Sequence, residues 1–366
     1  MSEGSLLFLM AGGGTGGHVI PAIAVAHELV NQGHDVLFVG TERGVEARLV
    51  PAAGFKLEKI RVGGIKNLGF ATKVASGWRL MAETLGQLNN FGTLKPAAVF
   101  SMGGYVAGPP VLAALIKRVP VVVMEPNAVP GVTNRWIAGR VSRSLIAFEE
   151  TRRFFPEGRT ELTGLPVREE FFALRTKPEQ SEFTVLITGG SQGSQRLNNT
   201  ARQSWPLFRD AGLPIRFIHQ TGLAMHQEME AEFAQTGLNG EIRPFISDMP
   251  SAFAEADLIV CRSGAGAVAE LAAAGKPSIL IPFPFAADDH QLKNAQSFEK
   301  AGAAVLSLDR DWTAQTFFDA VGRLNSDRAR LRVMGKNARK LAHPGAAQRA
   351  AQILIDIAQN RRNNKD

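Results

Sequence analysis

The chain has 366 residues but only one cysteine, Cys261, and one tyrosine, Tyr105. A single thiol excludes an internal disulfide framework and fits a reducing compartment. No stretch approaches the about 20 uninterrupted apolar residues that a membrane-spanning helix needs. Met1–Met10 lacks a basic segment and a cleavage site and runs straight into glycines, so it reads as a strand and not a signal peptide. Aromatic and basic residues nowhere interleave in a long run, which argues against a nucleic-acid partner.

Hydrophobic residues make up 45% of the chain, enough for an ordinary globular core. The formal net charge of +7 points to an anionic partner, a membrane surface or a phosphorylated substrate. At roughly 100–200 residues per domain, two domains are expected.

Short apolar runs alternate with helical patterns. Leu6–Met10, Val36–Val39, Ala98–Ser101 and Val119–Met124 read as buried parallel strands, with helices such as Pro21–Gln32 and Pro109–Arg118 between them. A second series follows: Thr184–Thr188, Ile215–Gln220, Leu258–Cys261 and Ser278–Ile281. Both series open with a strand, a glycine turn and a helix, which predicts an α/β chain of two doubly wound, Rossmann-like domains. Glycine and proline cluster in Phe155–Pro178. This sets the expected domains at 1–164 and 165–345, with a final helix over 346–366 packing back on the first.

The first turn, Gly12-Gly13-Gly14-Thr15-Gly16-Gly17, lets backbone N–H groups at a helix start approach an anion. It also fits a dinucleotide fingerprint, with Glu42 as the ribose acid in that reading. His18 follows at once. It is either a base for a sugar hydroxyl or a histidine bonded to a helix end. In the second series, Gly189–Gly193 places Ser191 and Gln192 beside flexible backbone. Arg262-Ser263-Gly264-Ala265-Gly266 leads from strand to helix as a second diphosphate cradle. Glu270, about one turn into that helix, has the chemistry to hold two ribose hydroxyls or to answer the helix dipole. Gln291 and Asn294 lie one turn apart, and their amides suit sugar hydroxyls. Asp288, Asp289 and His290 are metal-ligand types without a partner cluster, so no metal is expected. Asp309-Arg310-Asp311 reads as a turn and helix cap. Polar loops at Ser101–Pro109, Glu125-Pro126-Asn127 and Thr133-Asn134-Arg135 follow strands of the first series. In the Leu68–Leu85 stretch, Phe70, Val74, Trp78 and Met81 with basic neighbours form a stripe that suits an anionic membrane surface or a core face.

Taken in order, Gly13-Gly14-Thr15-Gly16-Gly17-His18, Met102-Gly103-Gly104-Tyr105, Gly189-Gly190-Ser191-Gln192-Gly193, Arg262-Ser263-Gly264-Ala265 and Asp289-His290-Gln291-Leu292-Lys293-Asn294-Ala295 closely resemble the MurG family of bacterial N-acetylglucosaminyltransferases. The resemblance spans nearly the whole chain. It implies a GT-B fold, two Rossmann-like domains facing a cleft. It implies inverting transfer of N-acetylglucosamine from UDP-N-acetylglucosamine to undecaprenyl-diphospho-muramoyl-pentapeptide (lipid I), without an essential metal or other cofactor. The site would be the cytoplasmic face of the bacterial plasma membrane, beside other cell-wall synthesis proteins. Thr15, Gly16, Gly17 and Asn127 would reach the donor. Arg168, Ser191, Gln192 and Gly193 would face its diphosphate or nucleotide, with Ser263, Gly264, Ala265 and Gly266. Ile246 would meet uracil through its backbone, Glu270 the ribose, and Gln291 and Asn294 the sugar. His18 would be the base, with Tyr105, Glu125 and Asn134 near the acceptor. The chain departs from the family at Leu165, where Asn is usual, at Pro126, where Gln is usual, and at Gly266-Ala267, which lacks a hydroxyl. On the same fold, an epimerase of UDP-N-acetylglucosamine or a non-catalytic sugar-nucleotide binding subunit are the competing functions.

Overall fold

The computed structural model describes residues 4–61, 70–174 and 182–363, with the backbone alone over 70–81. Two compact units make up the chain, Met1–Val167 with Gly345–Asp366, and Arg168–Pro344.

The first unit carries β1 (Leu7–Gly12), β2 (Asp35–Gly40), β3 (Lys56–Lys59), β4 (Ala98–Gly103), β5 (Val121–Glu125), β6 (Arg143–Ile146) and β7 (Thr160–Leu162). They form one parallel sheet in the order β3-β2-β1-β4-β5-β6-β7. The second unit carries β8 (Phe183–Thr188), β9 (Ile215–Gln220), β10 (Asn239–Arg243), β11 (Leu258–Cys261), β12 (Ser278–Leu280) and β13 (Ala304–Leu306). Its parallel sheet runs β10-β9-β8-β11-β12-β13. Every residue of β4, β5, β8 and β11 is buried. Helices cover both faces of such sheets, so the strands read as continuous apolar runs instead of alternating ones. Both strand orders reverse between the first and fourth strands of their unit, at β1/β4 and β8/β11. Open α/β sheets bind ligands outside the carboxyl ends of the strands at such points.

The cores are separate. Leu9, Val99, Val111 and Val123 belong to the first. In the second, Phe208 meets Phe217, Phe317 and Phe318 edge-on, with ring centroids 5.1, 5.5 and 5.0 Å away. The last helix, Ala346–Asn363, packs on the helix Gly16–Asn31 of the first unit through a buried stripe that includes Ala350, Leu354 and Ala358. Gln348 Nε2 donates to Glu28 Oε1 at 3.1 Å, and Arg349 grips Glu161 at 2.5 and 2.9 Å. The helix Phe70–Leu94 contains the apolar stripe, but the side chains of Phe70, Val74, Trp78 and Met81 lie outside the described residues. Among the described residues, no helix is long and apolar enough to cross a membrane.

Candidate active site

In the first unit, the turn after β1 closes around a carboxylate. Glu46 is fully buried. Its Oε2 accepts from Gly14 N at 2.8 Å, and its Oε1 accepts from Thr41 N at 2.9 Å and Thr41 Oγ1 at 2.7 Å. Burial pushes its pKa up, but the bonds from Thr41 and Gly14 prevail and hold it below the usual carboxylate range. Gly14 sits at φ +86°, a conformation that favours glycine and aims its N–H inward. Glu42 instead stands at the surface, 3.9 Å from Lys59. His18 lies in the first turn of the helix Gly16–Asn31, half-buried, with Nδ1 3.3 Å from Gly13 O. A carbonyl partner places the proton on Nδ1 and leaves the lone pair on Nε2. The loop after β4 crosses this turn: a Cβ built on Gly104 would lie 3.6 Å from the imidazole, and one on Gly14 would lie 3.5 Å from the Tyr105 ring.

After β5, Glu125 is buried and surrounded by donors. Asn127 N (3.0 Å) and Asn127 Nδ2 (3.3 Å) donate to Oε1, while Gly131 N (3.1 Å) and Asn134 Nδ2 (2.8 Å) donate to Oε2. Burial pushes its pKa up to about 7 against those four bonds. Asn134 is buried too and also donates to Met124 O at 3.2 Å. These two side chains hold the loop, whereas Tyr105 is exposed and Asn127 half-exposed.

In the second unit, Gly193 (φ +74°) and Gly222 (φ +77°) interlock the loops after β8 and β9, each packed against the other loop's carbonyl with no room for a Cβ. Ser191 and Gln192 are exposed beside them. Gln220, at the end of β9, is buried and ties three segments together. Its Nε2 donates to Gly190 O at 2.8 Å and Thr188 Oγ1 at 3.2 Å, and its Oε1 accepts from Ile246 N at 2.7 Å. After β11, Arg262 pairs with Asp309 at 2.5 Å and donates to Ile281 O, Pro282 O and Ser194 Oγ. Asp309 is therefore an ion-pair partner. The helix Ala314–Ser326 is capped not by the Asp309–Asp311 turn but by Thr313, whose Oγ1 accepts from Thr316 N.

The helix Ala265–Ala274 starts at Gly264 without a side-chain cap. A Cβ built on Gly264 or Gly266 would meet no atom within 4 Å. Free N–H groups, a positive helix end and open space together make an anion cradle. Glu270 follows, half-buried; burial pushes its pKa up to about 7, and the Arg168 charge opposes that rise. Ser263 is buried and donates to Gln291 O at 2.8 Å, while Asn294 Nδ2 donates to Ser263 O at 3.1 Å. Gln291 Oε1 accepts from Phe283 N at 2.9 Å. Ser263, Asn294 and Gln291 thus fasten the helix His290–Lys300 to the cradle. No group of three or more His, Cys, Asp or Glu able to hold a metal occurs among the described residues.

The comparisons with known proteins decide between the readings of this fold. Residues 8–146 match the N-terminal domain, and residues 184–350 the C-terminal domain, of glycosyltransferase family 28. The chain is 61% identical, over 96% of its own length and 96% of the other's, to a Solibacter usitatus protein named UDP-N-acetylglucosamine–N-acetylmuramyl-(pentapeptide) pyrophosphoryl-undecaprenol N-acetylglucosamine transferase. The chain belongs to the MurG family of glycosyltransferases. The crystal structure of Acinetobacter baumannii MurG matches with a TM-score of 0.80 and 32% identity, covering 96% of this chain and 99% of that one. A UDP-N-acetylglucosamine 2-epimerase from Neisseria meningitidis, bound to UDP-N-acetylglucosamine, matches with a TM-score of 0.67 at 13% identity over 96% of this chain and 100% of that one. That likeness is one of fold alone. Both units have the Rossmann-like, doubly wound topology of the GT-B glycosyltransferases.

Of the residues that the MurG resemblance singles out, the structure gathers two sets. Thr15, Gly16, Gly17 and His18 lie at the β1 turn, beside the loop that carries Tyr105. Arg168 and Glu270 share a charge interaction, and Gly264, Ala265 and Gly266 open the helix on which Glu270 lies. Ile246 has its N–H engaged by Gln220. Glu46 and Gln220 lay outside the sequence reading. Their signals are weak: an acid four residues beyond Glu42, and an amide closing a strand that also carries Arg216 and His219.

Gln220→Leu leaves the buried Ile246 N–H without its acceptor, which costs about 1–3 kcal/mol. Hydrogen exchange of the Ile246 amide is expected to speed up by about 5- to 150-fold, with β1 amides unchanged. Unaltered exchange at Ile246 would show that the clamp contributes nothing.

Proposed function

We propose that the chain transfers N-acetylglucosamine from UDP-N-acetylglucosamine to the lipid-linked N-acetylmuramyl-pentapeptide, the step that yields lipid II for peptidoglycan synthesis. The observation that carries this is the 61% identity over 96% of both chains to a transferase of that name. The site chemistry supports it. The uncapped start of the helix Ala265–Ala274, with Ser191 and Arg168, is assigned to the donor diphosphate. Glu270 is assigned to the ribose hydroxyls, Ile246 to uracil through its backbone, and Gln291 with Asn127 to the sugar. Because Ile246 N already serves Gln220, its carbonyl is the group left to that role.

His18 is assigned as the general base. Nε2 takes the proton of the muramoyl 4-hydroxyl as that oxygen bonds to the anomeric carbon. The bond from the anomeric carbon to the β-phosphate oxygen breaks, its electron pair leaves with UDP, and the configuration inverts. The positive helix end and Arg168 stabilise the charge that gathers on the leaving diphosphate. No metal is assigned a part. Glu125 and Asn134 serve by holding the Asn127 loop, and Tyr105 faces the acceptor. The assigned lipid-linked acceptor and the net charge of +7 support a position at an anionic membrane surface on the cytoplasmic side.

The test is labelled UDP-N-acetylglucosamine with and without a lipid I analogue. Label is expected in the lipid product, with no donor consumed when acceptor is omitted and no loss of rate with chelator. Donor turnover without acceptor would favour an epimerase, and donor binding without transfer a non-catalytic subunit.

Glu270 adds a pH dependence. Ribose hydroxyls donate to the ionised carboxylate, so donor binding favours the deprotonated form. With a free-state pKa of about 7, donor affinity should rise about tenfold between pH 6 and pH 8 and then level off. In Glu270→Gln that rise should vanish and binding should weaken. A wild-type affinity that is flat by calorimetry across this range would contradict the ribose assignment.

A further inference from the structure

The β1 turn holds a connection that the transfer reaction does not by itself require. One peptide group, between Gly13 and Gly14, stands between a buried carboxylate and the imidazole. Its N–H donates to Glu46 Oε2 at 2.8 Å, and its carbonyl oxygen lies 3.3 Å from His18 Nδ1. We propose that Glu46 is a positioning residue for His18 and acts on it through this single peptide group. The proposal rests on the reading of His18 as the base.

The physical argument runs through polarisation. A carboxylate on an amide N–H draws that dipole out and makes the carbonyl oxygen a stronger acceptor, and bonds in such chains reinforce one another. A stronger acceptor at Nδ1 fixes the tautomer that leaves the lone pair on Nε2. It also favours the imidazolium formed when Nε2 takes the acceptor proton, because the Nδ1–H bond then becomes charge-assisted. A catalytic triad obtains the same effect from a carboxylate placed directly on the histidine. Here one peptide is interposed.

Glu46 is held in place for such a part. It opens the helix Glu46–Ala52 and is anchored by Thr41 through both backbone and hydroxyl. Three glycines make room for it. A Cβ on Gly13 would fall 2.5 Å from its Oε1, one on Gly40 would fall 2.5 Å from its Cγ, and one on Gly44 would overlap the carboxylate. The turn also loses a competing use. The Gly14 N–H that a dinucleotide-binding loop would aim at a phosphate is already satisfied by Glu46. Among the described residues, Glu46 stands across the peptide from the imidazole, and Tyr105 follows Gly104 on the loop that approaches the ring.

The test is the titration and tautomer of His18, read by nitrogen-15 NMR of the imidazole in the full chain, in wild type and Glu46→Gln. The expected result is a mainly Nδ1–H neutral tautomer in wild type. In the variant its dominance is lost and the His18 titration midpoint falls by about half a unit or more. The acidic limb of the kcat profile should move by the same amount while KM for UDP-N-acetylglucosamine is unchanged. Unchanged tautomer and midpoint in folded Glu46→Gln would reduce Glu46 to a loop filler and overturn the proposal. If that variant does not fold, Glu46→Asp, which keeps the charge but withdraws the oxygen from Gly14 N–H, decides by the same readouts with a smaller shift. His18→Ala separates the two claims: full turnover there defeats the base reading, whatever the titration shows.

Discussion

A helix start carries backbone N–H groups with no partner inside the helix, and each needs an acceptor. In a parallel sheet every strand delivers its chain to the same edge, so these starts accumulate there, and the chain builds the turns before two of them differently. Before the helix Gly16–Asn31, which itself has no side-chain cap, Glu46 fills the β1 turn and takes the Gly14 N–H within a cradle that three glycines leave open. After β11 no side chain caps the helix Ala265–Ala274, and the backbone of Gly264 and Gly266 faces open space. One turn is filled. The other is open to an anion.

That difference underlies the proposed division of chemistry. A filled turn presents its neighbour, His18, in one orientation and does not compete for phosphate. The open turn, to which the donor diphosphate is assigned, carries Glu270 on the helix that follows. The supporting clamps have the same character. Glu125 gathers four donors to shape the Asn127 loop, and Gln220 ties Gly190 to Ile246. In both, a buried polar side chain sets the course of backbone that stands next to a proposed contact.

The strands and their order in the chain were legible because buried parallel strands are short and apolar. The two glycine turns and the small-residue cradle were legible because sharp strand-to-helix turns restrict residue type. Boundaries were less so. The first helix starts at Gly16 and not at Pro21, since tertiary packing overrides the poor helix propensity of Gly16 and Gly17. Long-range pairs were not legible at all. Nothing local to Asp309 says that it answers Arg262, and nothing local to Glu46 says that it fills a turn 32 residues earlier. Glu125 and Asn134 stand in polar segments that read as contact loops, but folding buries both side chains to hold the loop. Burial of a polar side chain is decided by its partners, which sequence spacing does not reveal.

The central claim is that recognition of the donor's nucleotide belongs to the second unit and proton transfer to the first. Calorimetric titration of UDP-N-acetylglucosamine into the full chain tests it most directly, with wild type, Glu270→Ala and His18→Ala compared at one pH. The account predicts that His18→Ala binds donor as wild type does, whereas Glu270→Ala loses about tenfold or more in affinity, the scale of a lost charged hydrogen bond. Wild-type binding by Glu270→Ala together with lost binding by His18→Ala would contradict it.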